Sequence, residues 1–183
     1  MELRHSQMLL GITGKAGSGK DTLADALIRK HGGVKVAFSD TLKAACKVLF
    51  QLSESQLYNR AEKERIDERW GRSPRQLMQF VGTDLLRNQL DKEIFIKSMR
   101  ARVQKLLELH PFVVVADCRF ENEAALVRDM GGTVIHLHRV SAPSVNAHVS
   151  EQQLPKSRLD ISLHNDSSAL DMLQRCENAL GLT

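Results

Sequence analysis

"LLGITGKAGSGKDTLADAL", Leu9 to Leu27, is the stretch on which the fold turns. A short apolar run ends in Gly14, Lys15, Ala16, Gly17, Ser18, Gly19 and Lys20, which satisfy G-x-x-x-x-G-K. Leu23, Ala24, Leu27 and Ile28 then recur at helical spacing. A strand that turns through glycines into a helix can curl its backbone N–H groups around phosphate oxygens, and the helix N-terminus adds partial positive charge. Lys20 is long enough to reach the outer phosphates of a bound nucleotide. One position departs from the usual pattern, because Asp21 stands where Ser or Thr is expected. A carboxylate there repels phosphate, so Asp21 is expected to point away, capping the helix or holding a metal-bound water. Thr22, one place later, then supplies the hydroxyl.

Four apolar runs outward from this loop read as buried strands: 8–13, 34–39, 112–117 and 133–138, with a weaker fifth at 160–164. Helical patterns separate them. The first helix is stopped by the glycines at 32 and 33, and another closes near 130 at "MGG". Ser73, Pro74 and Gln76 form a capping-box start for a helix whose apolar set is Leu77, Met78, Val81, Leu85, Leu86 and Leu90. Ile96, Met99, Val103 and Leu106 make a further helix, and Ala169, Leu170, Leu173, Cys176 and Leu180 a terminal one. Strands alternating with helices predict a parallel sheet covered on both sides, an α/β fold. The segment from about 41 to 110 is too long for a simple crossover and reads as a helical lobe, while 140–158 lacks an apolar period and reads as a flap.

Composition narrows the functions. The 183 residues, 42% hydrophobic, suit one domain. No run approaches the roughly eighteen apolar residues of a membrane span, and the opening "MELRHSQMLLG" is too short in apolar residues for a signal peptide, so a cytoplasmic protein is expected. Cys46, Cys118 and Cys176 are odd in number and lack metal spacing, which points to buried thiols. A net charge of +4 favours anionic ligands, and 4% aromatic content argues against a nucleic-acid platform. "DMGG" at 129–132 matches the D-x-x-G of GTPases only by chance, since no N-K-x-D follows. His136 and His138 share a strand face but have no third ligand nearby, so they read as structural.

Charged residues gather at the expected strand ends. Asp117 follows "FVVVA", a usual place for a carboxylate that steers Mg²⁺ or its water, although Asp is also a favoured helix cap. Lys43, Arg119, Arg139 and Arg158 flank the second to fifth strands and are expected to ring one edge of the sheet. On the helix from Ser73, the polar residues Arg75, Gln79, Thr83 and Arg87 recur every four positions opposite the leucines, a stripe suited to gripping a phosphate and a base. Lys97, Arg100, Arg102 and Lys105 read as the wet side of their helix.

Taken in order, "GKAGSGKDTLADAL", "FSDTLKAAC", "SPRQLMQFVGTDLLR", "VVVADCRFENEA" and "HVSEQQL" with "DISLHND" resemble the bacteriophage-type deoxynucleoside monophosphate kinases from Leu9 almost to the C-terminus. The resemblance implies a P-loop kinase fold with sheet order 2-3-1-4-5, a helical monophosphate-binding lobe after the second strand and a lid after the fourth. It also implies ATP and Mg²⁺, with a deoxynucleoside monophosphate as acceptor, and it adds Asp40 and Glu151 to the candidate substrate contacts. A homodimer is the candidate assembly. Thr41 and Glu121 stand where the family often has proline, which leaves base specificity open.

The expected function is transfer of the ATP γ-phosphoryl group to a deoxynucleoside monophosphate. Gly14 to Thr22 would hold ATP, and Thr22, Asp21 and Asp117 the Mg²⁺ and its waters. Asp40, Lys43, Arg75, Gln79, Thr83, Arg87, Arg119, Glu151 and Arg158 would hold the acceptor. Lys20, Asp117, Arg119 and Arg139 would act on the transferring group. Two alternatives share the loop: a kinase for another phosphorylated small molecule, such as phosphomevalonate, and a regulator that uses ATP as a switch.

Overall fold

The computed structural model describes residues 7–139, 154–155, 157–158 and 160–182. The expected flap at 140–158 and Glu151 fall largely or wholly outside them. Contacts divide the chain into two compact units, 1–37 with 99–183 and 38–98.

The first unit is built on a five-stranded parallel sheet: β1 (Met8–Thr13), β2 (Val34–Val36), β3 (Phe112–Val115), β4 (Thr133–His138) and β5 (Ile161–His164). Their spatial order is β2-β3-β1-β4-β5, the order the resemblance implies. The side-chain period of two sorts β1 cleanly. Leu10 and Ile12 face α1 (Lys20–His31) and α8 (Ala169–Leu180), where Leu23, Leu27, Met172 and Cys176 complete a core with Val114, Ile135 and Leu137. On the other face, Gly11 lies against Cys118 and against Val127 of α7 (Glu121–Asp129). Each leucine side chain fully buried here contributes about 2 kcal/mol of transfer free energy. Glu177 of α8, 1% exposed, ties that helix to α1 through Lys30 (2.8 Å) and His31 (2.7 Å). These partners, Lys30 first, hold its carboxyl below the usual range against the opposing effect of burial.

The second unit is helical: α2 (Ser39–Phe50), α3 (Glu54–Tyr58), α4 (Arg60–Glu64), α5 (Pro74–Gln79), a π-helical segment Phe80–Leu90, and the start of α6 (Ile94–Leu109). The capping box at Ser73 forms as its sequence predicts: the Ser73 hydroxyl accepts from Gln76 N–H (3.3 Å), and Gln76 Oε1 accepts from Ser73 N–H (2.9 Å). Cys46, Leu52, Leu57, Leu77 and Val81 make its core.

One expectation changes here. Leu85 and Leu90 are exposed (40% and 68%), whereas Thr83 and Arg87 are buried. The apolar stripe is phased for i→i+4 winding, but the segment closes i→i+5 bonds, as from Asp91 N–H to Leu86 O (2.9 Å). Each residue of such a ladder turns through fewer degrees than in an α-helix, so Leu85 and Leu90 leave the inward face and Thr83 and Arg87 join it, while Leu77, Met78, Val81 and Leu86 still pack on the core as expected. Gly82 lies close against α2, where a Cβ would meet Leu42 Cδ2 at 2.5 Å.

Candidate active site

All the strands of the first unit run parallel, so the segments after β1, β3, β4 and β5 emerge at one edge. Between β3 and β4, the neighbours of β1, chain direction across the sheet reverses, the place where open α/β sheets bind ligands. Gly14–Gly19 occupy it. Gly14, Gly17 and Gly19 have φ of 150°, 78° and 99°. At two of them a side chain is also excluded by space, because a Cβ on Gly14 would lie 2.4 Å from Leu137 O and one on Gly19 2.4 Å from Asn165 Nδ2. Gly19 is the N-cap of α1 and makes no side-chain cap, so the first-turn N–H groups of the helix are left for a ligand.

Lys20 Nζ donates to Gly14 O (2.6 Å) and Lys15 O (2.9 Å), which holds the ammonium over the loop. The Ser18 hydroxyl is wholly buried and has no hydrogen-bond partner among the described residues. Thr22 is exposed on the first turn of α1. Asp21 does turn outward, with its side chain 83% exposed, and Lys35 of β2 stands 3.5 Å from it; Lys35 also binds Asp25 at 2.6 Å. The two aspartates hold the Lys35 ammonium above its usual pKa even though burial works the other way. Phosphate repulsion by Asp21 is thereby weakened on both counts, distance and neutralisation.

Asp117 follows β3 and is 8% exposed. It is not the cap of α7, the other role its position allowed. That helix has Phe120 as N-cap, and the buried Glu123 carboxylate accepts from the N–H groups of Arg119 (2.6 Å) and Phe120 (3.1 Å). Arg139 follows β4 and points Nη1 at Gly17 O (3.5 Å). Lys20, Asp117, Arg119 and Arg139 thus all belong to the edge that carries the glycine loop.

Arg158 does not. β5 pairs parallel to β4 with Ile161 opposite Ile135, so the turn before Ile161 lies where strands begin, at the opposite edge. The sequence pattern places it correctly before a strand, yet a residue before a parallel strand cannot share an edge with residues that follow its neighbours.

The remaining candidates lie on the second unit. Asp40 and Lys43 are on the first turns of α2, and Lys43 Nζ sits 4.6 Å from the centroid of the Tyr58 ring. Arg75 Nε donates to Glu64 Oε1 (2.5 Å). Arg87 stacks over Phe95 at 4.9 Å, Thr83 is buried in the same π-helical segment, and Gln79 carries a buried Nε2 with no partner among the described residues. A π-helical stretch is often a functional position.

Several residues of consequence have no local signature. Glu123 caps a helix that lacks Ser or Thr at its N-cap, so the usual S/T-x-x-E pattern is missing. Asn165, after β5, donates from Nδ2 to Ser18 O (2.8 Å). Asp160 accepts from Arg128 Nε (3.0 Å) and Nη2 (2.7 Å) and from Ser157 N–H (2.8 Å), and lies 2.8 Å from His136 Nε2. That gives His136 the structural role its sequence suggested. Glu121, at the first position of α7, accepts from Arg128 Nη1 (2.7 Å). Among the described residues no cluster of three His, Cys, Asp or Glu could hold a metal by itself, and no helix is long and apolar enough to cross a membrane.

Known proteins share this fold. Among solved structures, an APS kinase of Mycobacterium tuberculosis superposes with a TM-score of 0.56 at 14% identity, covering 96% of this chain and 98% of that one. The protein TT1252 of Thermus thermophilus superposes with 0.55 at 23%, covering 96% and 97%. These establish the fold. In sequence, a protein of Acanthamoeba polyphaga mimivirus provisionally named for deoxynucleotide monophosphate kinase activity is 41% identical over 173 residues, 88% of this chain and 90% of its own length. The deoxynucleotide monophosphate kinase of Enterobacteria phage T4 is 33% identical over 116 residues, 63% of this chain and 47% of the phage protein. The family model for deoxynucleotide monophosphate kinase matches residues 53–176. With a strand–glycine loop–helix at the switch point and matches spanning both units, the chain belongs to the deoxynucleotide monophosphate kinases, a family of enzymes.

Proposed function

We propose that this enzyme moves the γ-phosphoryl group of ATP onto a phosphate oxygen of a deoxynucleoside monophosphate, forming the diphosphate and ADP. The observation that carries the reading is the glycine loop. Its backbone leaves no room for side chains at Gly14 and Gly19, the N-terminus of α1 is uncapped, and Lys20 is already held above it. An anion of several charges suits that cradle, and the orphaned Ser18 hydroxyl is a further donor for it.

The acceptor phosphate is an anionic nucleophile near neutral pH, so no strong general base is needed. Its oxygen bonds to the γ-phosphorus as the bond to the β–γ bridging oxygen breaks, and ADP leaves with that electron pair. The work of the protein is alignment, charge neutralisation and exclusion of water. Lys20 stabilises charge on the β- and γ-oxygens, and Arg119 and Arg139 stand at the same edge for the transferring group. Mg²⁺ fits the donor set: it accepts one or two protein oxygens with phosphate oxygens and water completing its shell, which suits Thr22, the buried Asp117 and the outlying Asp21 better than a cage of side chains. When bound, it supplies further neutralisation of the phosphates. Asp40, Lys43, Arg75, Gln79, Thr83 and Arg87 would form the acceptor site on the second unit.

A coupled ADP-release assay with dGMP, dTMP, dCMP and dAMP tests the reading. Arg75→Ala should raise KM for the monophosphate about ten- to a hundredfold, the value of a charge-assisted hydrogen bond, and leave KM for ATP unchanged. Arg87→Ala should do the same and also lower stability, because its stem is packed and its guanidinium stacked. If none of the four monophosphates is phosphorylated, the acceptor assignment fails.

A further inference from the structure

Side chains hold several carbonyls of the glycine loop. Lys20 holds those of Gly14 and Lys15, and Leu137 O lies directly beneath Gly14. The carbonyl of Ser18 is held from another part of the chain, by Asn165 Nδ2 at 2.8 Å across a sequence separation of 147. Asn165 is itself fixed, since its N–H donates to His138 O (2.7 Å) and so continues the β4–β5 pairing past the end of β5. Its amide also fills the space where Gly19 would carry a side chain, 2.4 Å from that Cβ position.

The Ser18–Gly19 peptide is trans, so the Ser18 carbonyl and the Gly19 N–H point to opposite sides of one rigid plane. Holding the carbonyl therefore aims the N–H. Gly19 has no Cβ and a φ of 99°, a residue whose peptide plane would otherwise rotate freely.

We propose that Asn165 is a positioning residue of the kinase. By gripping the Ser18 carbonyl it turns the Gly19 N–H into the phosphate cradle and couples the end of β5 to the affinity for the phosphoryl donor. The inference rests on the reading of this loop as the donor site. Asn165 acts through Gly19 rather than on the phosphates themselves.

The test uses the full-length enzyme with Asn165→Ala and the nearly isosteric Asn165→Asp, which sets a carboxylate against the Ser18 carbonyl. Inorganic triphosphate and ATP are titrated while the Gly19 amide is followed in a ¹⁵N–¹H spectrum, and KM is measured for both substrates. Both variants are expected to shift the Gly19 resonance before any ligand is added. They should weaken triphosphate and ATP about ten- to a hundredfold, the range for a hydrogen bond to a charged group, with KM for the monophosphate unchanged. Asn165→Asp should be at least as impaired as Asn165→Ala despite its matching shape. If the wild type binds neither triphosphate nor ATP, the donor reading itself falls and the proposal with it. If the wild type binds and both variants bind equally well, or if KM for the two substrates rises in parallel with a loss of melting temperature, the donor reading stands and the positioning role is refuted.

Discussion

Asp160→Asn should weaken folding in a way that depends on pH. The Asp160 side chain is 1% exposed, and burial alone would raise its pKa. The hydrogen bonds from Arg128, and after it from Ser157 and His136, more than offset that and hold it at about 2 instead of the usual 3.8. A carboxyl depressed in the folded state stabilises it above the unfolded pKa and loses that contribution as pH falls through the folded one. At 1.36 kcal/mol per unit the contribution is about 2 kcal/mol at pH 7, about half that at pH 3, and small by about pH 2. For a chain of this size it corresponds to about 4–8 °C in Tm. The substituted asparagine would keep the shape and lose the charge, so the gap between variant and wild type should open at neutral pH and close in acid. Urea unfolding at pH 7, 5, 4 and 3 measures it. Trp70, the one tryptophan, lies in the second unit, so emission would report the wrong part of the chain. Far-UV circular dichroism, with hydrogen exchange at the amides of β4 and β5, follows the right one. A gap that stays constant from pH 7 to pH 3 would refute the argument that the ionised carboxylate is what Arg128 and its neighbours stabilise.

Lys20→Met should lower kcat by at least about a hundredfold while the fold persists, because it removes the charge proposed for the β/γ oxygens together with two hydrogen bonds to loop carbonyls but almost no packing; near-normal turnover of the folded variant would remove the loop from the reaction. Thr22→Ala should raise the Mg²⁺ concentration needed for half-maximal rate, and Asp21→Asn should change it less, given how far the Asp21 carboxylate stands out toward Lys35. A magnesium titration in which Thr22→Ala matches the wild type would sink the assignment of its hydroxyl.

How much is legible in the chain follows from the range of each interaction. The five strands, the glycine loop and the Ser73 helix start can be read because each is written within a few adjacent residues: an apolar run, a G-x-x-x-x-G-K spacing, a capping box closing over three positions. The sheet order comes from resemblance, since strand neighbours are not encoded in any one strand. Where the helical period is extended through Phe80–Leu90, it misplaces Leu85 and Leu90, because the segment winds i→i+5 and turns each residue through a smaller angle than the α-helical period assumes.

The sequence by itself therefore determined that a phosphate cradle sits between a strand and a helix, and which residue types could serve it. Only the tertiary structure decided how those groups are aimed. It put Lys35 beside Asp21, removed Arg158 to the far edge, set Glu123 rather than Asp117 at the N-terminus of α7, and brought Asn165 to the Ser18 carbonyl. The physical reason is common to all four. Each depends on groups brought into register by parallel pairing of strands or by the turn of a helix onto them, some separated by well over a hundred residues, and a carboxylate or amide carries no mark in the sequence of the partner that the sheet will bring to it.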